Sequence, residues 1–197
     1  MSFVDKHGLR SDAQRAAAQG VLMEVEARGL EVVRFSFADQ HGILRGKTVA
    51  KADLARALDD GITVTTTLFA KDTSHRTVFP VFTPGGGFGL DEMQGGADAL
   101  MVADPATFRV LPWAPGTGWL LCETWFPNGQ PVPFDTRRLL RAALAALGKA
   151  GYEYFAGLEI EFHVFRLLDP RMRPEQAGQP GEPPEVELLT HGYQYLT

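Results

Sequence analysis

The chain has 197 residues, 45% of them hydrophobic and 22% charged, which is typical of a folded globular protein and excludes a disordered one. Its 19 Lys and Arg residues are dispersed and are outnumbered by 24 Asp and Glu residues, and the resulting net charge of −5 argues against nucleic-acid binding. The single cysteine, Cys122, excludes an internal disulfide, and no apolar run is as long as a membrane span, so we expect a cytoplasmic protein that binds neither nucleic acid nor membrane.

The first third of the chain predicts a helix followed by a small sheet. Ser11 provides an N-cap for an Ala-rich helix that ends at Gly29. The residues that follow alternate in polarity and are rich in β-branched and aromatic side chains. They predict, in chain order, a strand over 30–37, a tight turn over 39–42, a strand over 43–49, a short helix from Asp53 to Gly61 and a strand over 62–69.

The rest of the chain begins with an irregular segment. Residues 70–97 are rich in glycine and proline and predict a long loop, which in a compact protein is usually functional or mobile. Cys122 lies in an apolar strand-like run and is expected to be an inert core residue. The predicted elements are strands over 99–103, 108–111 and 119–126, a helix from Asp135 to before Gly151, a strand-rich stretch over 152–168 and a proline-rich loop over 169–184.

Two carboxylates alternate along the run G-L-E-I-E-F-H at 157–163. On a strand, Glu159, Glu161 and His163 share one face, and the Cα atoms of the two glutamates lie about 6.5–7 Å apart. Their side chains can converge on Mg²⁺ or Mn²⁺, which prefer oxygen ligands. The alternative is the solvated acidic face of a half-buried strand. An acid–base pair for glycoside hydrolysis fits poorly, because such carboxylates lie on opposite sides of the bond that is cleaved.

Asp39 lies at the tip of the predicted hairpin, just before His41 and Gly42. One interpretation is turn chemistry, in which the aspartate accepts hydrogen bonds from its own turn and Gly42 supplies a positive φ. The other is a carboxylate that a rigid hairpin presents to a cationic group. The residues alone leave both interpretations open.

Four segments, taken together and in this order, resemble the glutamine synthetase family of ATP-dependent carboxylate–amine ligases. They are V-R-F-S-F-A-D-Q-H-G-I-L-R-G-K at 33–47, A-D-A-L-M-V-A-D-P-A-T-F-R-V-L-P-W at 97–113, G-Q-P-V-P-F-D-T-R at 129–137 and G-L-E-I-E-F at 157–162. The resemblance implies an α+β protein in three parts: an N-terminal helix over 1–29, a β-grasp domain over 30–113, and the start of a catalytic α/β domain over 114–197.

The resemblance also implies roles for individual residues. Glu159 matches a ligand of the metal ion on the ATP phosphates, and Glu161 matches a ligand of the Mg²⁺ or Mn²⁺ ion beside the amino-acid substrate. Asp39 matches the hairpin aspartate that one subunit lends to its neighbour's active site, where it helps to hold and deprotonate ammonium. The implied reaction converts the side-chain carboxylate of glutamate to an acyl phosphate, which ammonia or another amine attacks. Family members form stacked rings, usually dodecamers.

Two departures limit what the resemblance implies. Glutamine-forming members carry a D-G-S-S-type segment where this chain has K-D-T-S-H-R at 71–76. The amine substrate is therefore ammonia, a polyamine or another amine, and the resemblance does not decide among them. The remaining metal carboxylates and the nucleotide-contacting arginines are expected beyond Thr197. We therefore expect the 197-residue chain to be incomplete and inactive. The alternative is a naturally short, non-catalytic β-grasp module that docks on a ligase ring.

Overall fold

A computed structural model describes residues 1–169, 173–178 and 181–190. The helix predicted from Ser11 is confirmed, because the Ser11 side chain accepts a hydrogen bond from the Gln14 N–H and the Gln14 side chain accepts one from the Ser11 N–H. No helix in these described ranges is long and apolar enough to cross a membrane. The α-helices are α1 (Phe3–Lys6), α2 (Asp12–Ala27), α3 (Leu54–Asp60) and α4 (Thr136–Lys149).

Strands from across the first 125 residues form one sheet of six strands, and a separate pair lies near the C-terminal end of the described chain. Along the large sheet the order is β2-β1-β6-β4-β3, with β5 paired to β6. The strands are β1 (Val32–Ala38), β2 (Leu44–Ala50), β3 (Ile62–Thr65), β4 (Asp98–Ala103), β5 (Arg109–Val110), β6 (Thr117–Trp125), β7 (Phe165–Leu167) and β8 (Val186–Leu188).

Strand β6 joins the two halves of the sheet. Its first residues pair with β1 in parallel, and its last residues pair with β4 in antiparallel orientation. The sheet is therefore mixed, and the predicted α+β class is confirmed. The boundary drawn from the sequence at residue 113 falls inside this sheet, because β6 follows that residue and pairs with strands that precede it. The β-grasp and catalytic-domain assignments stay predictions.

The core lies on one face of the sheet, under α2 and α3. Inward-facing side chains alternate along β1, where Val33, Phe35 and Phe37 are buried, as the alternating pattern predicts. Leu120 of β6 and Met101 of β4 lie in the same cluster and are fully buried. All the buried members of this cluster fall between residues 18 and 132, so the sheet and its helices enclose a core without using the C-terminal third of the chain.

The strand-rich stretch predicted over 152–168 is largely wrong. Only β7 forms there, paired with β8, and residues 152–164 adopt neither helix nor strand. A strand needs a neighbour to hydrogen-bond with and a layer to cover its apolar face. Leu158, Ile160 and Phe162 are 85%, 69% and 76% exposed, so no described residue supplies that layer. Parts of the predicted loop over 169–184, at 170–172 and 179–180, lie outside the described residues.

Candidate functional site

The Asp39 carboxylate is buried inside the hairpin turn between β1 and β2. Its Oδ1 accepts hydrogen bonds from the backbone N–H of His41 at 2.9 Å and of Ile43 at 3.0 Å. Gly42 adopts a φ of 78°, which favours glycine, and donates to the Asp39 carbonyl at 3.0 Å. Asp39 is 0% exposed. The geometry is that of the turn interpretation, in which the aspartate closes its own loop.

The charge of Asp39 is balanced within the chain by Arg45. The Arg45 Nε donates to Asp39 Oδ2 at 2.7 Å, and the arginine side chain is only 10% exposed. Burial alone raises the pKa of Asp39, but the bonds from Arg45 and from the His41 and Ile43 N–H groups outweigh it and hold the pKa below its usual value. Asp39 is therefore ionised and buried in the turn, and a role of its carboxylate toward an ammonium ion stays a prediction.

Arg45 also connects the hairpin to the loop that follows Ala70. Its Nη1 donates to Nδ1 of His75 at 2.8 Å. Gln40 Nε2 donates to the Lys71 carbonyl at 3.2 Å, and His41 Nε2 donates to the same carbonyl at 3.0 Å. Residues 39–45 and 71–77 thus form one hydrogen-bonded unit, which we call the tip unit. The sequence gives no signal for this contact, because the two segments lie 30 residues apart.

The tip unit carries a second carboxylate and an ammonium group. Asp72 Oδ1 accepts from the backbone N–H of Ser74 and of Arg76, each at 2.9 Å, and Asp72 is partly exposed where Asp39 is buried. Lys71 Nζ donates to the His75 carbonyl and to Thr77 Oγ1, both at 3.2 Å. The Lys71 charge, followed by burial and by Arg45, lowers the pKa of His75. His75 is consequently neutral, as its acceptor role toward Arg45 requires.

A row of aromatic rings in tilted contact leads from the core to the surface beside the tip unit. Ring centroids lie 5.3 Å apart for Phe37 and Phe69, and 6.5 Å apart for Phe69 and Phe134. The row continues to Phe88 at 4.8 Å and ends at Phe79 after a further 4.7 Å. These phenylalanines have no regular spacing in the sequence, so no periodic pattern predicts that their rings meet.

Glu159 and Glu161 lie on the exposed, irregular segment 152–164. Carboxylate oxygens are the donors that Mg²⁺ and Mn²⁺ prefer, so the two residues fit as part of a ligand set. Within the described residues, however, no three His, Cys, Asp or Glu side chains come together as a metal site. No hydrogen bond or ion pair in that part of the chain links either glutamate to Asp39. Their role as metal ligands stays a prediction.

The motif at 129–137 anchors α4 to the sheet. Asp135 is the N-cap of α4, accepting from the Arg138 N–H at 2.8 Å, and it also accepts from the Thr124 hydroxyl of β6 at 2.9 Å. Buried Asp104 accepts from Arg137 at 2.6 Å and from Arg141 of the same helix. Burial raises the pKa of Asp104, but the hydrogen bond from Arg137 and the charge of Arg141 outweigh burial, so the pKa lies below its usual value. Asp135 and Arg137 of this motif therefore attach the start of α4 to β6 and to Asp104, the residue that follows β4.

Comparison with known proteins finds several relatives and no matching protein-family model. The γ-glutamylanilide synthase of Acinetobacter sp. is 40% identical over all of this chain and 40% of its own length. The glutamine synthetase of Methanosarcina mazei is 28% identical over 76% of this chain and 30% of its own length. The glutamate–isopropylamine ligase of Pseudomonas sp. is 30% identical over 87% of this chain and 36% of its own length.

These relatives are ligases, and the region they share with this chain is their N-terminal part. The chain belongs to the glutamine synthetase family, as the four sequence segments predicted. It spans only 30% to 40% of the length of these three relatives.

Proposed function

We propose that this chain is the N-terminal part of a ligase that joins an amine to the side-chain carboxylate of glutamate through an acyl phosphate derived from ATP. The observation that carries the proposal is the 40% identity with γ-glutamylanilide synthase, which extends over the whole chain. The names of this relative and of the isopropylamine ligase favour an organic amine over ammonia.

In this proposal Glu159 and Glu161 contribute two oxygen ligands to the Mg²⁺ or Mn²⁺ ions of the active site. A bound divalent ion would offset the negative charge of the ATP phosphates. Two side chains do not complete a ligand shell, so other residues, water or phosphate must supply the rest. The exposed apolar side chains of Leu158, Ile160 and Phe162 support further structure packing against this segment.

Asp39 takes a positioning role in this proposal. Its carboxylate is held by Arg45 and by two backbone N–H groups, so it shapes the tip unit instead of touching the amine directly. The family resemblance supports a β-grasp fold for the sheet domain and a dodecameric ring in the cytoplasm for the intact ligase.

A chimera tests the proposal. This chain replaces the matching N-terminal part of the Acinetobacter γ-glutamylanilide synthase, and γ-glutamyl amides are measured by mass spectrometry with ATP, Mg²⁺, glutamate and one amine at a time. Ammonia, ethanolamine, isopropylamine, aniline and a polyamine make up the amine panel. We expect amide product from the chimera and none from the 197-residue chain alone. Product from the chain alone would contradict its incompleteness, and a folded chimera without product would contradict the ligase assignment.

The second candidate function is a docking module that binds a ligase ring without catalysing the reaction. It is favoured by the core, whose buried cluster closes within residues 18–132. The discriminating measurement is co-sedimentation of the isolated chain with an intact relative. Stoichiometric binding to a complete ring supports the module, whereas activity of the chimera supports the ligase.

A further inference from the structure

The loop of the tip unit is attached to the hairpin at its base and at its far end. At the base, the Lys71 carbonyl accepts hydrogen bonds from Gln40 Nε2 at 3.2 Å and from His41 Nε2 at 3.0 Å. At the far end, Nδ1 of His75 lies 2.8 Å from Nη1 of Arg45. The acceptor at the base is a backbone carbonyl, whereas the acceptor at the far end is a titratable ring.

The bond at the far end fixes the protonation state of His75. A guanidinium group has N–H donors and no acceptor, so Nδ1 must offer its lone pair and the proton of the neutral ring lies on Nε2. An imidazolium ion carries a proton on both nitrogens and has no lone pair with which to accept this bond. Protonation would also place a second positive charge beside Arg45. The bond between His75 and Arg45 therefore requires a neutral imidazole.

The charges around His75 oppose its protonation. Arg45 contacts the ring from β2, and Lys71 of the same loop donates to the His75 carbonyl at 3.2 Å. The Lys71 charge, followed by burial and by Arg45, outweighs Asp72 and lowers the pKa of His75. Asp39, behind Arg45, is engaged by the same guanidinium group. Besides its two histidines, the charged groups of the tip unit are Asp39, Arg45, Lys71, Asp72 and Arg76.

The far end of the loop is a closed turn with its own hydrogen bonds. The Asp72 N–H donates to the Arg76 carbonyl at 2.9 Å, and the His75 N–H donates to the Asp72 carbonyl at 3.1 Å. The Asp72 side chain also accepts from the N–H groups of Ser74 and Arg76, each at 2.9 Å. None of these bonds uses the exposed His75 ring. The turn therefore keeps its shape when the bond to Arg45 breaks, and it moves as a unit.

We propose that His75 and Arg45 form a pH-sensitive latch, in which protonation of the imidazole releases the turn at 72–76 from the hairpin. The pKa of a free histidine is about 6.5, and that of His75 is held below this value in the closed latch. The stability that the latch contributes is therefore complete above about pH 6.5 and is lost as the pH falls through the lower folded value. The latch does not depend on the proposed ligase activity, because its groups all lie in the tip unit.

NMR spectroscopy of the 197-residue chain tests the latch over a pH range that spans the titration of histidine. The ¹⁵N shifts of the imidazole report which nitrogen carries the proton, and nuclear Overhauser contacts between His75 and Arg45 report the closed latch. At neutral pH we expect the Nε2–H tautomer and the contacts. As the pH falls, we expect the contacts to disappear and the amide shifts of 72–76 to change with the midpoint of the His75 ring. Contacts that persist after protonation, or a different midpoint for the loop, would overturn the proposal.

The variant His75→Asn removes the titration and keeps the acceptor. Its Oδ1 is attached to Cγ, as Nδ1 is in histidine, so it can accept the bond from Arg45, and the amide has no charge to gain. Asparagine also tolerates the φ of 66° that His75 adopts. We expect the latch to stay closed in this variant at low pH, so the amide shifts of 72–76 lose their titration.

Two control variants separate His75 from other histidines of the chain. His41→Asn removes the second histidine of the tip unit, and His163→Asn removes a histidine of the exposed segment 152–164. We expect the loop to titrate in both variants as it does in the parent chain. Unchanged titration of the loop in His75→Asn, or its loss in His41→Asn or His163→Asn, would assign the response to another group and overturn the proposal.

Discussion

Replacement of Arg45 by methionine tests how the tip unit is held together. Methionine keeps much of the apolar stem and removes the guanidinium group that donates to Asp39 at 2.7 Å and to His75 at 2.8 Å. The Asp39 carboxylate then stays buried without its cation. We therefore expect a large loss in the free energy of unfolding and a release of the loop at 71–77 from the hairpin.

The magnitude follows from the burial of the pair. Removing one partner of a buried ion pair costs about 3–5 kcal/mol, because the other charge is left uncompensated. Asp39 keeps its two backbone N–H donors at 2.9 and 3.0 Å, so we expect the lower end, about 3 kcal/mol. The matched control is Arg28→Met. Arg28 is 58% exposed in its pair with Glu24, and such surface pairs contribute about 0.3–0.5 kcal/mol.

Urea unfolding followed by circular dichroism measures both variants at pH 7. A cost for Arg45→Met no larger than that for Arg28→Met would refute the reasoning. The double variant Asp39→Asn/Arg45→Met is a second check, because an asparagine has no charge to leave unpaired. We expect the double variant to be more stable than Arg45→Met alone, and the opposite order would show that the ion pair does not govern the effect.

The same pair predicts a pH dependence. The folded pKa of Asp39 is lowered, so its contribution to stability is complete above the unfolded value of about 3.9 and is lost as the pH falls through the lower folded value. In Arg45→Met the pKa of Asp39 rises, and this contribution shrinks. The stability difference between the parent chain and the variant is therefore expected to narrow as the pH is lowered through that range; a constant difference would contradict this assignment.

Three further predictions concern single positions. Asp135→Ala removes the N-cap of α4 and is expected to cost about 2 kcal/mol in urea unfolding, whereas Asp135→Asn, which can still cap the helix, should cost less. Gly46→Ala would place a Cβ 1.9 Å from a carbonyl oxygen of the paired strand and is expected to lower the melting temperature. In the control Gly20→Ala, no atom lies within 4 Å of the added Cβ, so the melting temperature should rise or stay the same. Burial raises the pKa of the Cys122 thiol, so we expect a thiol reagent to label it only after unfolding; rapid native labelling would contradict its core position.

Local elements of the fold could be predicted from the sequence, because their signals lie within a few residues. The Ser11 cap, the alternation of β1, the tight turn at 39–42 and the Asp135 cap all appear in the structure. The position of β6 could not be predicted in this way. Its pairing partner β1 lies more than 80 residues earlier, and a parallel pairing leaves no turn signal between the two strands.

The candidate site likewise contains some contacts that local sequence predicts and others between distant segments that it does not. The turn chemistry of Asp39 was among the predictions, since its donors are two and four residues away. Its ion pair with Arg45 follows from the register of β1 and β2, in which Arg45 lies opposite Phe37. The hydrogen bond from Arg45 to His75 joins two segments that lie 30 residues apart, so no local sequence pattern predicts it.

In the proposed ligase, strand formation at 157–163 and metal binding by Glu159 and Glu161 are linked. The alternating pattern is that of a strand, yet pairing is a property of two strands, and in the described chain Ile160 and Phe162 have no layer to pack against. If a neighbouring strand paired with this segment, the apolar side chains would become buried and both glutamates would lie on the opposite face. Ordering of the strand would then pre-organise the carboxylates, and binding of a divalent ion by them would in turn stabilise the strand. The proposal therefore predicts that metal affinity and folding of this segment are coupled.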